Sequence, residues 1–157
     1  MLQKFLNDTD AFVVECQQFT RVQQTYLEQL TQTGHADPGA SRALQSSSDI
    51  LFQHTSEVLT AFHQVPTTMA KVRLVCLPLK ETADSIVSNA NDYRQARNDF
   101  LEAERAGRNS AEARQVIEKY LLILERLKKL TENAAAAAAL GHDIANKSSE
   151  RVMIDGV

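Results

Sequence analysis

The stretch Val116-Ile-Glu-Lys-Tyr-Leu-Leu-Ile-Leu-Glu-Arg-Leu-Lys-Lys-Leu130 leaves its chain few ways to fold. Val116, Tyr120, Leu124 and Leu127 recur at three- and four-residue steps, the spacing of one helical stripe. Ile117, Leu121, Leu122 and Ile123 widen the apolar arc well beyond that stripe. A helix apolar over so wide an arc has to be covered on more than one side. The stretch therefore reads as the central helix of a bundle.

A second pattern, near the start of the chain, sets the style of packing. Phe5, Phe12, Phe19 and Tyr26 recur every seven residues, and Leu2, Thr9, Cys16, Gln23 and Leu30 fill the companion seam. A period of about 3.5 residues kept over four heptads belongs to long helices packed side by side. Polar Thr9 and Gln23 weaken that seam locally, and each can fix register through a hydrogen bond. The first helix is expected from Leu2 to Thr33, ended by Gly34 in a left-handed cap, with Pro38 and Gly39 forming the turn.

A second helix is expected from an N-cap at Ser41, with Leu44, Leu51, Val58, Phe62 and Val65 on its apolar face. The residue before Pro66 avoids helical dihedrals, so a break falls there. A third helix then carries Met69, Val72, Cys76, Leu79, Ala83, Ile86, Ala90, Tyr93 and Phe100, with a kink at Pro78. The reverse assignment, a turn at Pro78 and a kink at Pro66, fits the same periodicity. Gly107 closes this helix, and Asn109 with Glu112 opens a fourth in capping-box fashion. The uninterrupted alanines from Ala134 to Ala139 either extend the fourth helix into solvent or admit another helix at close range.

Glycine and proline are scarce, at 5 and 3 in 157 residues, and nothing alternates with the period of a strand. The expected fold class is all-α: an elongated antiparallel four-helix bundle with coiled-coil-like heptads. The alternative keeps three long helices around a kinked central rod. Residues 1–148 would form one helical domain and residues 149–157 a flexible C-terminal tail. No apolar run is long enough to span a bilayer, and the polar residues after Met1-Leu2 do not suit a signal peptide. A cytoplasmic protein is the expectation.

Motifs for chemistry are missing. Two cysteines make neither a disulfide framework nor a four-ligand zinc site. His54 and Glu57 stand in the reverse order of the Glu-x-x-His pairs that di-iron bundles need twice. No glycine-rich phosphate loop or nucleophile elbow occurs. Arg94, Arg97, Arg105, Arg108 and Arg114 are interleaved with Asp92, Asp99, Glu102, Glu104 and Glu112, which reads as a solvated, salt-bridged face and not a phosphate-binding stripe. No enzyme, no cofactor, no metal and no nucleic-acid partner are expected.

What remains is a non-catalytic protein–protein interaction module, an adaptor or scaffold subunit that recognises a helical segment of another protein. The first half of the chain is poor in charge and rich in Gln, Ser and Thr, which lowers the cost of desolvating its surface. A partner helix completing an underfilled seam would touch Gln23, Ser48 and Thr55, with Ala134 and Ala138 as a second contact and a possible joint between copies of the chain. The alternative function is an export chaperone or secreted effector of a bacterial secretion system.

Overall fold

The computed structural model describes the backbone of residues 2–34, 37–106 and 111–155. Side chains are described over the same ranges apart from 2, 106, 145–146 and 148–155. Among the described residues there are helices and connections and no strand. The helices are α1 (Leu2–Thr33), α2 (Pro38–Gln64), the short α3 (Ala70–Val75), α4 (Leu77–Ala106) and α5 (Ala111–Asp155). The protein is all-α, as its periodicity demands.

The four long helices pack in a ring, α1 on α2, α2 on α4, α4 on α5 and α5 on α1. Paired residues show that each side of the ring is antiparallel. Phe5 of α1 meets Phe62 of α2, and Phe52 of α2 meets Tyr93 of α4. Tyr93 and Phe100 of α4 both meet Tyr120 of α5, while Cys76 faces Gly141. Tyr26 of α1 meets Tyr120, and Asp10 meets His142, which closes the ring. The aromatic heptad of α1 is buried throughout, as are Leu44, Leu51, Val58 and Phe62 of α2 and Val65 just after it.

α5 has two long neighbours like every other member of the ring, not a central position. Tyr120, Ile123, Leu124 and Leu127 are buried, but Leu122 is 69% exposed on the outer face. The wide apolar arc is thus covered on two sides and left open on the third.

Chain ends of the helices differ from expectation where local hydrogen bonding outweighs pattern. α1 does end on Gly34, whose φ of 76° lies in the left-handed region and whose N–H bonds the Leu30 carbonyl at 3.0 Å. The N-cap of α2 lies four residues before Ser41. It is Asp37, accepting from the Ala40 N–H at 2.7 Å, with Pro38 in the first turn where its missing N–H costs nothing. Gln29 of α1 grips the same cap, donating to Asp37 Oδ2 at 3.0 Å and accepting from its N–H at 2.9 Å. The Ala40 N–H, then Gln29, hold the Asp37 carboxyl below the usual range. The expected cap at Asn109 and stop at Gly107 lie outside the described residues, as does His35.

Both prolines of the middle segment interrupt the helix. α2 stops at Gln64 because Val65, preceding Pro66, is extended at ψ 129°. α3 then runs for six residues to a cap at Cys76 (φ −92°, ψ 0°), and Pro78 sits in the first turn of α4. The heptad face nevertheless runs straight across, with Val72, Cys76 and Leu79 all buried.

α5 is longer than expected. It passes through Gly141 and continues to Asp155, so residues 149–155, expected to form a flexible tail, are helical. Its alanine run lies inside the bundle along one edge: Ala134 and Ala138 are fully buried, one turn apart. Gly141 extends that close-approach edge, since a Cβ there would lie 3.2 Å from Cys76 Sγ.

Candidate functional site

The residues proposed from sequence as a partner seam are interior. Gln23, Ser48, Thr55, Ala134 and Ala138 are all 0% exposed. The seam is completed by the chain's own helices, so none of the five offers a surface to a partner. Their polar groups are used locally. Thr55 donates to the Leu51 carbonyl at 2.6 Å and Ser48 to the Gln45 carbonyl at 2.9 Å, while Gln23 reaches across to Leu124. Thr9 is likewise buried and bonded to the Phe5 carbonyl at 2.7 Å.

The surface that does stand open lies at the corner where α2 gives way to α3 and α4. A helix stopped by proline leaves its last carbonyls without intrahelical donors. Arg73 of α3 supplies them: Nη1 donates to the Val65 carbonyl at 2.7 Å and to the Phe62 carbonyl at 3.3 Å. Its guanidinium also lies over the Phe62 ring, 5.0 Å from the centroid. One side chain therefore caps α2 and fixes the angle at which α3 leaves it.

That angle turns an apolar edge outward. Leu74 is 66% exposed and Leu77, three residues on, is 38% exposed. With Phe62, Ala70 and the stem of Arg73 they line an open groove of about 400 Å³. The other large exposed apolar residues are spread over α1, α2, α4 and α5: Val14, Ile50, Val87, Leu122 and Leu140. Basic side chains edge the groove. His63 and Lys80 line it, and no acidic residue occurs from residue 58 to residue 80. Lys80 pairs with Asp84 at 2.8 Å, but Lys71 is exposed on α3 itself.

Sequence reasoning missed this groove because Leu74 and Leu77 belong to the near-apolar run from Leu74 to Leu79, which reads as core. The signal available was Pro66 and Pro78 on either side of Leu74 and Leu77, a spacing too short for a helix able to bury both of its sides.

Among the described residues no three His, Cys, Asp or Glu side chains gather as metal ligands. His54 sits 3.1 Å from Glu57 on its own helix, and His142 sits 3.2 Å from Asp10 across the α1–α5 seam. Both cysteines are free and buried, and burial pushes their thiols up, Cys16 to about 12 and Cys76 to about 11. A thiol so placed is neutral and inert at ordinary pH. No described helix is long and apolar enough to cross a membrane. No protein-family model, curated protein or solved structure matches the chain.

Proposed function

We propose that the protein is a non-catalytic interaction module, an adaptor or scaffold subunit, that receives an acidic amphipathic helix of another protein at the α2–α3–α4 corner. The observation that carries this reading is the adjacent exposure of Leu74 and Leu77 over an apolar groove with a basic edge. An exposed leucine alone is unremarkable on a soluble surface, whereas two on one groove form the anchor of a recognition patch. A helix laid there would place apolar residues at i, i+3, i+4 and i+7 toward Leu74, Leu77 and Phe62. Its acidic face would meet Lys71, His63 and Lys80, favouring acidic over basic partners and speeding encounter at low salt.

The test is a fluorescence-anisotropy titration with two labelled helical peptides sharing that apolar spacing, one bearing glutamates on its polar face and one lysines. The acidic peptide should bind saturably, with affinity falling as salt rises, and Leu74→Asp should weaken it about tenfold or more. Leu74→Asp replaces an exposed side chain, so its melting temperature should match the parent. Equal binding of the two peptides, or unchanged binding to Leu74→Asp, would overturn the proposal. So would acidic-peptide affinity weaker than about 1 mM.

A further inference from the structure

A second, unrelated opening lies at the opposite end of α2. Between the first turns of α2 and the last turns of α4 the ring parts around a cleft of about 330 Å³. Its floor is aromatic. Tyr26 and Tyr120 meet edge-on at 6.4 Å, and Phe100 stacks on Tyr120 with centroids 4.7 Å apart. Leu44 and Leu101 line it as well, while Ser41, Arg42 and Gln45 reach it from successive turns of α2.

Arg97 lines this cleft from α4, with donors unused behind the lining. Its Nε and Nη1 are shut off from solvent and have no hydrogen-bond partner, and the guanidinium carbon lies 5.8 Å from the Tyr93 ring centroid. A guanidinium cannot shed its charge, so a protein that removes its N–H groups from water must ordinarily give them an acceptor. The Tyr93 hydroxyl, one turn earlier, is also buried, behind the cleft and beside Ser48. Burial pushes its pKa up, with Ser48 and Arg97 pulling the other way, so the hydroxyl keeps its proton.

Arg97 and the aromatic floor define the ligand. Nε and Nη1 lie on different edges of the guanidinium, and either one together with Nη2 matches the two oxygens of a planar oxyanion once the side chain turns into the cleft. Arg42 adds a second positive charge to the lining. Flat aromatic surface calls for a flat apolar body. Glu104, also lining the cleft, lies two turns beyond Arg97, about 10 Å along the helix, which discourages a second negative charge at that end. The volume sits at the lower end of small-molecule sites.

We infer that this cleft binds a small aromatic monoanion, a carboxylate or sulfonate, with its head group on Arg97 and its ring against Phe100 and Tyr120. The site is separate from the corner groove, and neither inference depends on the other.

Isothermal titration calorimetry with 2-naphthoate, set against the uncharged 2-naphthalenemethanol, tests it on the unaltered chain. Naphthoate should bind saturably and at least about tenfold more tightly than the alcohol. It should also raise the melting temperature of the parent protein. Arg97→Met should lose that preference and that thermal shift, while melting at or above the parent temperature because no bond is broken. Leu74→Asp should bind naphthoate as the parent does. Equal affinity for acid and alcohol would reduce the site to an apolar crevice and overturn the inference. So would naphthoate binding weaker than about 10 mM, which would leave a hydrated gap. A marked fall in the melting temperature of Arg97→Met, with naphthoate binding absent in the parent, would instead make Arg97 a structural residue.

Discussion

Gln23 of α1 donates its side-chain amide to the main-chain carbonyl of Leu124 on α5, 2.6 Å away and 101 residues on in sequence. The bond pins the axial register of the first helix against the last, the role that a lone polar residue in an apolar seam can serve. It comes at a cost, because Gln23 Oε1 is buried beside it without a partner.

Replacing Gln23 separates volume from hydrogen bonding. Gln23→Ala should destabilise the fold by about 2–3 kcal/mol, since a buried cavity opens as the bond is lost. Gln23→Met keeps the volume and removes the orphan oxygen, so its cost should stay within about 1 kcal/mol. Urea midpoints for the two variants check this. Equal losses would mean that the bond, not the packing, carries the site.

Arg73 should matter to one corner and not to the whole bundle. Hydrogen bonds from a charged donor are worth more than neutral ones, but this side chain is only partly buried. Arg73→Gln is therefore expected to cost about 1–2 kcal/mol. Amide hydrogen exchange should accelerate in α3 and the last turn of α2 while the centres of α1 and α5 keep their protection. Uniform loss of protection across all helices would contradict the local role assigned to the Phe62 and Val65 carbonyl contacts.

The helical periods revealed which faces turn inward and could not reveal what covers them. Ser48 and Thr55 therefore looked like an unfinished seam when α4 already closes it: Phe52, between them on α2, packs on Tyr93. Local chemistry outranked pattern at Asp37, where a side-chain cap and a proline start α2 before its apolar face begins. Pro66 and Pro78 could not be ranked because the buried positions Val72, Cys76 and Leu79 keep step across both. Arg97 was hidden by arithmetic. Its stretch of Arg, Asp and Glu sums to no field, yet charge balance along a sequence does not put a carboxylate beside each guanidinium in space. Arg94, three residues earlier, shows the same point, lying over the Phe52 ring at 5.0 Å.

Alkaline solution should weaken the fold through its buried thiols. Each is raised above its ordinary value of 9.0 by burial, Cys16 to about 12 and Cys76 to about 11. Below 9.0 both folded and unfolded chains hold the proton and stability is full. Above it the unfolded chain releases a proton that the folded chain keeps, so stability falls until the folded values are reached. The slope should be about 1.4 kcal/mol per pH unit for each thiol. Urea midpoints followed upward from neutral pH should decline beyond 9.0, and less steeply in Cys16→Ala. A profile in Cys16→Ala as steep as the parent's would deny that thiol its part. Tyr120, pushed up by burial, should steepen the same decline above pH 10.

The close approach of Gly141 on α5 to Cys76 yields a prediction about coupling and not about a single sign. Alanine at Gly141 gains helix propensity, about 1 kcal/mol, but its Cβ would stand 3.2 Å from Cys76 Sγ, where the thiol has to give way. The thiol is confined: Cys76 is fully buried at the α3–α4 junction, its sulfur 3.9 Å from the Gly141 carbonyl. Cys76→Ala removes that sulfur and leaves a small void. Gly141→Ala should then be more favourable in the Cys76→Ala background than in the parent, by about 0.5–1 kcal/mol. A double-mutant cycle from denaturant unfolding measures the term directly. Additive effects would mean that α5 moves outward freely at this point, and that the junction is held by α4 packing without help from the glycine.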